Sequence, residues 1–277
     1  MKKITFSAPG KIIICGEHAV VYGYPALAAA VDRRIYLQLV QKGESYSFRL
    51  KSAIPSRSGM GSSAALAAVE QAALLYLAGN HKLDRERIDA LTFEMEKAAH
   101  GNPSGVDNTI AVYGGILLYQ KDKGFKRLEF KKLPQFLLVN TGRPVETTDE
   151  MVVGIVGRGV KNKNPRIINS LKRIGKLPKE FVKALKKGDL SYLIHLIKEN
   201  ERLLEELGVV GEKAKAIIRQ IENLGGAAKI SGGGGAKFGS GIALVYHQNL
   251  EVIIKFCRKN KLSFFKVKLG EEGLKKE

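Results

Sequence analysis

Apolar positions along the chain change period near its middle, and the change sets the expected layout. Ile4–Phe6 and Lys11–Cys15 are short apolar runs on either side of the Ala8-Pro9-Gly10 break, which predicts two strands. Ile35–Val40 is rich in β-branched and apolar residues, and Ser47–Leu50 alternates, so both read as strands. Ser62–Ala78 is a run of alanines and leucines without Gly or Pro, opened by serine and closed by Gly79, and predicts a helix. Asp84–Ala99 predicts a second helix, capped by Asp84 and stopped by His100-Gly101. Its apolar stripe is Ile88, Leu91, Met95, Ala98 and Ala99. Ile116–Tyr119 and Phe136–Val139 are further strands.

Past about residue 145 helical patterns follow one another: Thr148–Val156, Pro165–Arg173, Lys179–Leu185, Leu190–Leu207 and Gly211–Asn223. A glycine-rich stretch, Ser231–Gly241, then leads to a strand at Ile242–Tyr246, a helix over Leu250–Asn260 and a last strand at Ser263–Lys268. The pattern is mixed α+β and not a regular βαβ array. A soft domain boundary falls near 145, giving residues 1–145 and 146–277.

Composition narrows the class. The 277 residues are 44% hydrophobic and 26% charged, as in a globular protein, and no run of 18 apolar residues is present to span a membrane. No apolar stretch with a cleavage site opens the chain, so no signal peptide is expected. The two cysteines, Cys15 and Cys257, have no metal-ligand spacing and read as buried thiols of a cytoplasmic protein. The net charge of +19 suits phosphorylated ligands, nucleic acid or simply a lysine-rich solvated surface. The lysines are scattered in pairs such as Lys131-Lys132 and Lys186-Lys187, with no zinc finger or RNP-type aromatic motif beside them. That favours the solvated surface over a nucleic-acid partner.

Three segments carry candidate chemistry. In Pro55-Ser56-Arg57-Ser58-Gly59-Met60-Gly61-Ser62-Ser63-Ala64-Ala65, two glycines precede a long helix. Such a loop brings backbone N–H groups and the positive helix end to an anion, and the serines offer donors or a metal ligand. It is not a Walker A loop, and a plain helix cap is the alternative. In Glu96-Lys97-Ala98-Ala99-His100-Gly101-Asn102-Pro103-Ser104-Gly105-Val106-Asp107-Asn108, Glu96 lies about 80° from Ile88 on the helical wheel. It therefore flanks the apolar stripe and needs a partner, a metal ion being one candidate. The Pro/Gly turn presents Asp107, either for chemistry or as an Asx turn. The third segment, Lys229-Ile230-Ser231-Gly232-Gly233-Gly234-Gly235-Ala236-Lys237, is an anion-binding loop or a flexible linker. Near the N-terminus, Lys11 enters an apolar strand and Gly16-Glu17-His18 follows it. By themselves these read as a snorkelling lysine and surface polarity.

Taken jointly and in this order, the segments resemble the GHMP kinases, over roughly residues 5 to 245. The resemblance implies a two-domain fold: an N-terminal domain like ribosomal protein S5 domain 2 and a ferredoxin-like C-terminal domain, with the active site between them. It implies ATP as co-substrate, held by Arg57, Ser58, Gly59, Met60, Gly61, Ser62 and Ser63, and Mg2+ held by Ser63 and Glu96. Asp107 matches the family's catalytic aspartate and Lys11 the lysine beside it. Gly16–Gly23 and His100–Asn108 look like the mevalonate-phosphorylating branch, so mevalonate is the implied acceptor. Glu17, His18 and Thr141 match positions that contact it, and Gly232 and Gly233 of the late loop are placed with them. A sibling kinase acting on phosphomevalonate or a sugar is the alternative, and a nucleic-acid-binding protein on the same scaffold is a more distant one. No nucleic-acid or membrane partner is expected, and a homodimer is allowed. The sequence departs from the family at Ala236-Lys237, where glycines are usual, at Leu66 in place of a substrate-side tyrosine, and in the short stretch between Leu50 and Pro55.

Overall fold

The structure, a computed structural model, describes every residue except Met1, Glu44, Ser56, Arg57, Gly101 and Asn102, together with all side chains but those of Lys2 and His100 among the rest. The chain runs through β1 (Lys2–Cys15), β2 (Pro25–Lys42), β3 (Ser45–Ser52), α1 (Ser62–Leu77), α2 (Arg85–His100) and α3 (Val106–Tyr113). It continues with β4 (Ile116–Gln120), β5 (Gly124–Leu128) and β6 (Phe136–Asn140), then a π-helix over Glu150–Gly157 that passes into α4 (Arg158–Lys161). Next come α5 (Pro165–Ile174), α6 (Leu177–Lys187), α7 (Leu190–Glu206) and α8 (Glu212–Asn223). The last elements are β7 (Ala227–Ile230), β8 (Ile242–Tyr246), α9 (Leu250–Lys259), β9 (Phe264–Val267) and β10 (Lys275–Lys276).

Two antiparallel sheets organise these elements. The first has the order β10-β1-β2-β4-β5, with β3 paired to the far half of β2. The second has the order β7-β8-β6-β9. Thus β6, on the N-terminal side of the change in character near 145, is a strand of the second sheet, and β10 brings the C-terminal end back to the first.

The expected break at Ala8-Pro9-Gly10 is a bulge within one continuous strand: the β1–β2 register shifts between Pro9 and Lys11. Proline has no N–H to give to a ladder, so the irregularity falls where it disrupts pairing least. Gly10 is left out of the ladder, Lys11 resumes it opposite Ala30, and the Lys11 N–H donates to the Met60 carbonyl at 2.9 Å, which ties β1 to the glycine loop before α1.

The alternation of β1 and β2 feeds two clusters. Phe6, Ala8, Ile12, Ile14, Leu27 and Ala29 join Ala64, Ala65 and Ala68 of α1, and the same core takes in Phe181 of α6 and Leu196 of α7. Ile13, Ala26, Ala28 and Ala30 pack with Val106 and Ile110 of α3. Alanines at these contacts let helix and sheet backbones approach closely, which brings the loops at the helix N-termini onto the end of β1.

Candidate active site

At the N-terminus of α1 the residue in the capping position is Gly61, left-handed at φ 68°, and no side chain caps the helix. The serines after it are therefore available for other work. The Ser63 hydroxyl donates to Glu96 Oε1 at 2.5 Å, joining α1 to α2. Glu96 is buried, as its place beside the apolar stripe predicts.

Lys11 leaves the bulge of β1 and places its ammonium 3.1 Å from Asp107 Oδ1. The Lys11 side chain is 5% exposed and that of Asp107 33%, so the cation is sheltered while the carboxylate still reaches the surface of the cleft. Asp107 belongs to the first turn of α3, whose N-cap is the left-handed Gly105. The Pro/Gly turn expected from sequence thus leads straight into a short helix that fixes the direction of Asp107. Asn108, next along, donates from Nδ2 to Asp89 Oδ1 at 2.6 Å and ties that turn to α2. Gly61 closes the arrangement: a Cβ there would stand 2.8 Å from Lys11 Cγ and 3.6 Å from Asp107 Oδ2. Only glycine leaves room for the lysine side chain between the loop and the aspartate.

The late glycine loop is no linker. A Cβ on Gly59 would lie 2.9 Å from the Ser231 carbonyl oxygen, and one on Gly232 would lie 3.2 Å from the Gly59 carbonyl oxygen. The two loops therefore pack backbone against backbone. Ser58, buried, accepts at its carbonyl from the Ile242 N–H at 3.1 Å. Ser231 Oγ accepts from the Ile13 N–H of β1 at 2.9 Å. Lys237, the departure from the family pattern, is exposed, and its N–H donates to Glu146 Oε1 at 3.2 Å.

Thr141 is fully buried. Its hydroxyl donates to the Gly241 carbonyl at 2.9 Å and accepts from the Ser240 N–H at 3.0 Å. In this state it braces the end of the late loop. Glu17 is also buried, ion-paired with Lys229 of β7. His18 follows it at a positive φ, with φ 60° and ψ −49°, outside the left-handed helical region. Both of its ring nitrogens are buried without a hydrogen-bond partner among the described residues. Burial holds this imidazole down at about 4, with the Gly233 backbone beside it partly offsetting the effect and the Lys229 charge adding to it. Met60 is buried beneath the first loop, and Arg57 lies outside the described residues.

Sequence reasoning included Lys229 only as the first residue of the late segment, without a role of its own, and missed Asn200 and Glu201. Lys229 and Asn200 both contact Glu17, and the Glu201 carboxylate accepts from the Ile230 N–H at 2.9 Å. The one available signal was a lysine within the apolar run Ala227–Ile230, all of it buried.

Among the described residues no group of three or more His, Cys, Asp or Glu gathers as a metal site. The Ser63 hydroxyl and Glu96 carboxylate nevertheless fit a magnesium ion that takes most of its ligands from phosphates and water. They are hard oxygens, one of them a buried carboxylate, beside a loop suited to phosphate.

This geometry is that of a phosphotransferase cleft: a glycine loop at an uncapped helix N-terminus, a hydroxyl–carboxylate pair, and a sheltered lysine against a reachable aspartate. The family model for the N-terminal domain of GHMP kinases matches residues 25–115, and that for the C-terminal domain matches residues 181–262. The chain belongs to the GHMP kinases. It is similar to the mevalonate kinase of Thermococcus gammatolerans, 29% identical over 84% of this chain and 87% of that protein. It is also similar to that of Thermococcus onnurineus, 28% identical over 99% of this chain and 98% of that one. Its fold matches L. major mevalonate kinase in complex with R-mevalonate at a TM-score of 0.81, with 23% identity, over 99% of this chain and 97% of that chain.

Proposed function

We propose that the protein transfers the γ-phosphoryl group of ATP to the primary hydroxyl of mevalonate, giving 5-phosphomevalonate and ADP. The observation that carries the chemistry is the Lys11–Asp107 pair held against Gly61 at the N-terminus of α1. The acceptor is supported by the mevalonate kinases among its relatives and by the Glu17-His18 pair at the end of β1.

Phosphoryl transfer demands alignment and charge neutralisation more than covalent participation by the protein. The loop from Arg57 to Ser63 lines the phosphates, with the free N–H groups of α1 directed at them. Ser63 and Glu96 would hold Mg2+, which when bound neutralises charge on the phosphate oxygens. Lys11 sits where negative charge develops as the acceptor oxygen bonds to phosphorus and the bridge to ADP breaks. Asp107 takes the proton that the acceptor hydroxyl loses. Its partial exposure lets a substrate reach it, while Lys11 and the α3 turn fix its direction.

Ser58 and Met60 secure the phosphate loop, and Gly232 and Gly233 close the acceptor side. Within this reading the phosphate loop, metal ligands and base belong to the N-terminal part, residues 1–145, and the late loop to residues 146–277. We place the enzyme in the cytoplasm, in keeping with the free, buried Cys15 and Cys257. No helix among the described residues is long and apolar enough to cross a membrane.

The test is an ADP-release assay with purified protein, Mg2+ and ATP across mevalonate, phosphomevalonate, galactose and homoserine. Mevalonate is expected to be turned over fastest, and a higher kcat/KM for any of the others overturns the assignment.

A further inference from the structure

We infer that Lys229 is a positioning residue for the acceptor: its buried ammonium, clamped on Glu17, fixes the turn that holds His18 at the acceptor side of the cleft. The inference rests on the acceptor side lying at His18 and Gly233, as proposed above.

Lys229 is 0% exposed, an unusual place for an ammonium group. All of its donor capacity is directed at the end of β1 and its own strand. It pairs with Glu17 Oε1, donates to the Ile230 carbonyl at 2.6 Å and reaches the Ile13 carbonyl at 3.4 Å. The second oxygen of Glu17 receives Asn200 Nδ2 of α7 at 3.4 Å. Glu17 is 1% exposed, so both carboxylate oxygens are committed to protein partners and neither is presented to the cleft. Whatever this pair contributes to the acceptor must pass through a neighbour.

That neighbour is His18. It is 4% exposed, and a non-glycine residue at φ 60° keeps that conformation only where its surroundings impose it. The clamp on the preceding residue is such a constraint. Among the described residues neither ring nitrogen has a hydrogen bond of ordinary geometry and only the Gly233 backbone lies beside the ring, which leaves a buried imidazole with capacity for a ligand. The ring lies beside Gly233, in the loop that packs on the phosphate loop at Gly59.

The clamp also crosses between the sheets. Lys229 is on β7 of the second sheet, Ile13 is near the end of β1 of the first, and Glu17 is in the turn just after β1. The Ile13–Ser231 hydrogen bond runs alongside it. A buried ion pair gives little net stability over apolar groups of the same volume, but it fixes direction. Here the direction it fixes is that of Gly16-Glu17-His18 relative to the late glycine loop.

The experiment compares wild type, Lys229→Met, Glu17→Gln and the double variant Lys229→Met/Glu17→Gln. The double variant leaves no unpaired buried charge, so it folds even if the first single variant does not. Steady-state kinetics, melting temperature and the His18 imidazole NMR signals (assigned by their loss in His18→Gln) are read on each. We expect the double variant to melt within about 3 °C of wild type. Its KM for the acceptor should be raised at least about tenfold and its KM for ATP changed less than about twofold. The His18 signals should be shifted with or without substrate.

Acceptor KM returning to wild type together with melting temperature would show the pair to be structural only, and would overturn the inference. So would a raised KM with unmoved His18 signals, because the effect would then come from direct contact with Glu17. If wild type fails to phosphorylate mevalonate, the substrate assignment falls. The kinetic comparison is then made with the alcohol that wild type does turn over, while the His18 signals report on the clamp regardless.

Discussion

Glu201 makes a sharp prediction about stability and pH. It is fully buried on α7, next to Asn200, which contacts Glu17, and burial pushes its carboxyl up to about 8 against the hydrogen bond it accepts from the Ile230 N–H. In the unfolded chain an ordinary glutamate titrates near 4.3. Between those values the folded protein holds a proton that the unfolded chain has released, so stability falls as pH rises through this window and levels off above about 8. From pH 6.5 to 8 the loss amounts to about 1.6 kcal/mol. His18 works the other way: its folded value of about 4 lies below the unfolded value near 6.5. Its stabilising contribution is lost only as pH falls, and over the same interval it returns about 0.4 kcal/mol. Glu201 therefore dominates. Glu201→Gln keeps an acceptor for the Ile230 N–H and removes the titration. Denaturant unfolding of both proteins at pH 6.5, 7, 7.5 and 8 cancels every group they share. Wild type should lose about 1.6 kcal/mol relative to the variant across the series. Parallel curves would mean that Glu201 does not change its protonation across this range, and the buried-proton account would be wrong.

Five other substitutions probe the cleft. Asp107→Asn keeps the shape of the α3 turn and removes the proton acceptor, so kcat should fall at least about a hundredfold with ATP binding retained; a destabilised but fully active variant would return Asp107 to a capping role. Glu96→Gln leaves an acceptor for the Ser63 hydroxyl but weakens the metal site, raising the Mg2+ concentration needed for half-maximal rate; Ser63→Ala should likewise cost more activity than Ser62→Ala, and equal small losses would argue against a metal role for Ser63. Gly61→Ala puts a methyl 2.8 Å from Lys11 Cγ at a left-handed position. It should cost about 1–2 kcal/mol in stability and reduce kcat by displacing Lys11 from Asp107, and wild-type turnover in the folded variant would contradict the packing described.

The sequence was most legible where periodicity is long. Ser62–Ala78 and Asp84–Ala99 lie within a residue or two of α1 and α2. The first half of β2 escaped because Ala26-Leu27-Ala28-Ala29-Ala30 has the composition of a helix and becomes a strand only by pairing with β1 and β4. α3 escaped because Pro103 and Gly105 read as the end of structure, whereas Gly105 is the left-handed cap of a new helix. β7 is too short to show a period. The helix expected from Thr148 to Val156 is present from Thr148, and from Glu150 it takes the wider π form. At the cleft, motif order pointed to Lys11, Gly61 and Asp107, and the fold brings these three together. Lys229 could not be found that way. Its partner is 212 positions away, and a lone lysine in an apolar run gives no hint of what it will meet.

The strand orders have a consequence for dissecting and recombining such chains. The second sheet is built wholly from residues between β5 and β10, so it is an insertion within the first sheet and not a sequel to it. A hybrid of two relatives joined once near residue 145 would carry β6 from one parent into a sheet otherwise made by the other, and would pair β10 with a foreign β1. Exchanging a whole layer takes two junctions, one between Leu128 and Phe136 and one between Val267 and Lys275. Even then Lys229 and Ser231 must arrive with side chains that suit the recipient's Glu17 and Ile13, because the contacts across the seam are inherited from both parents at once.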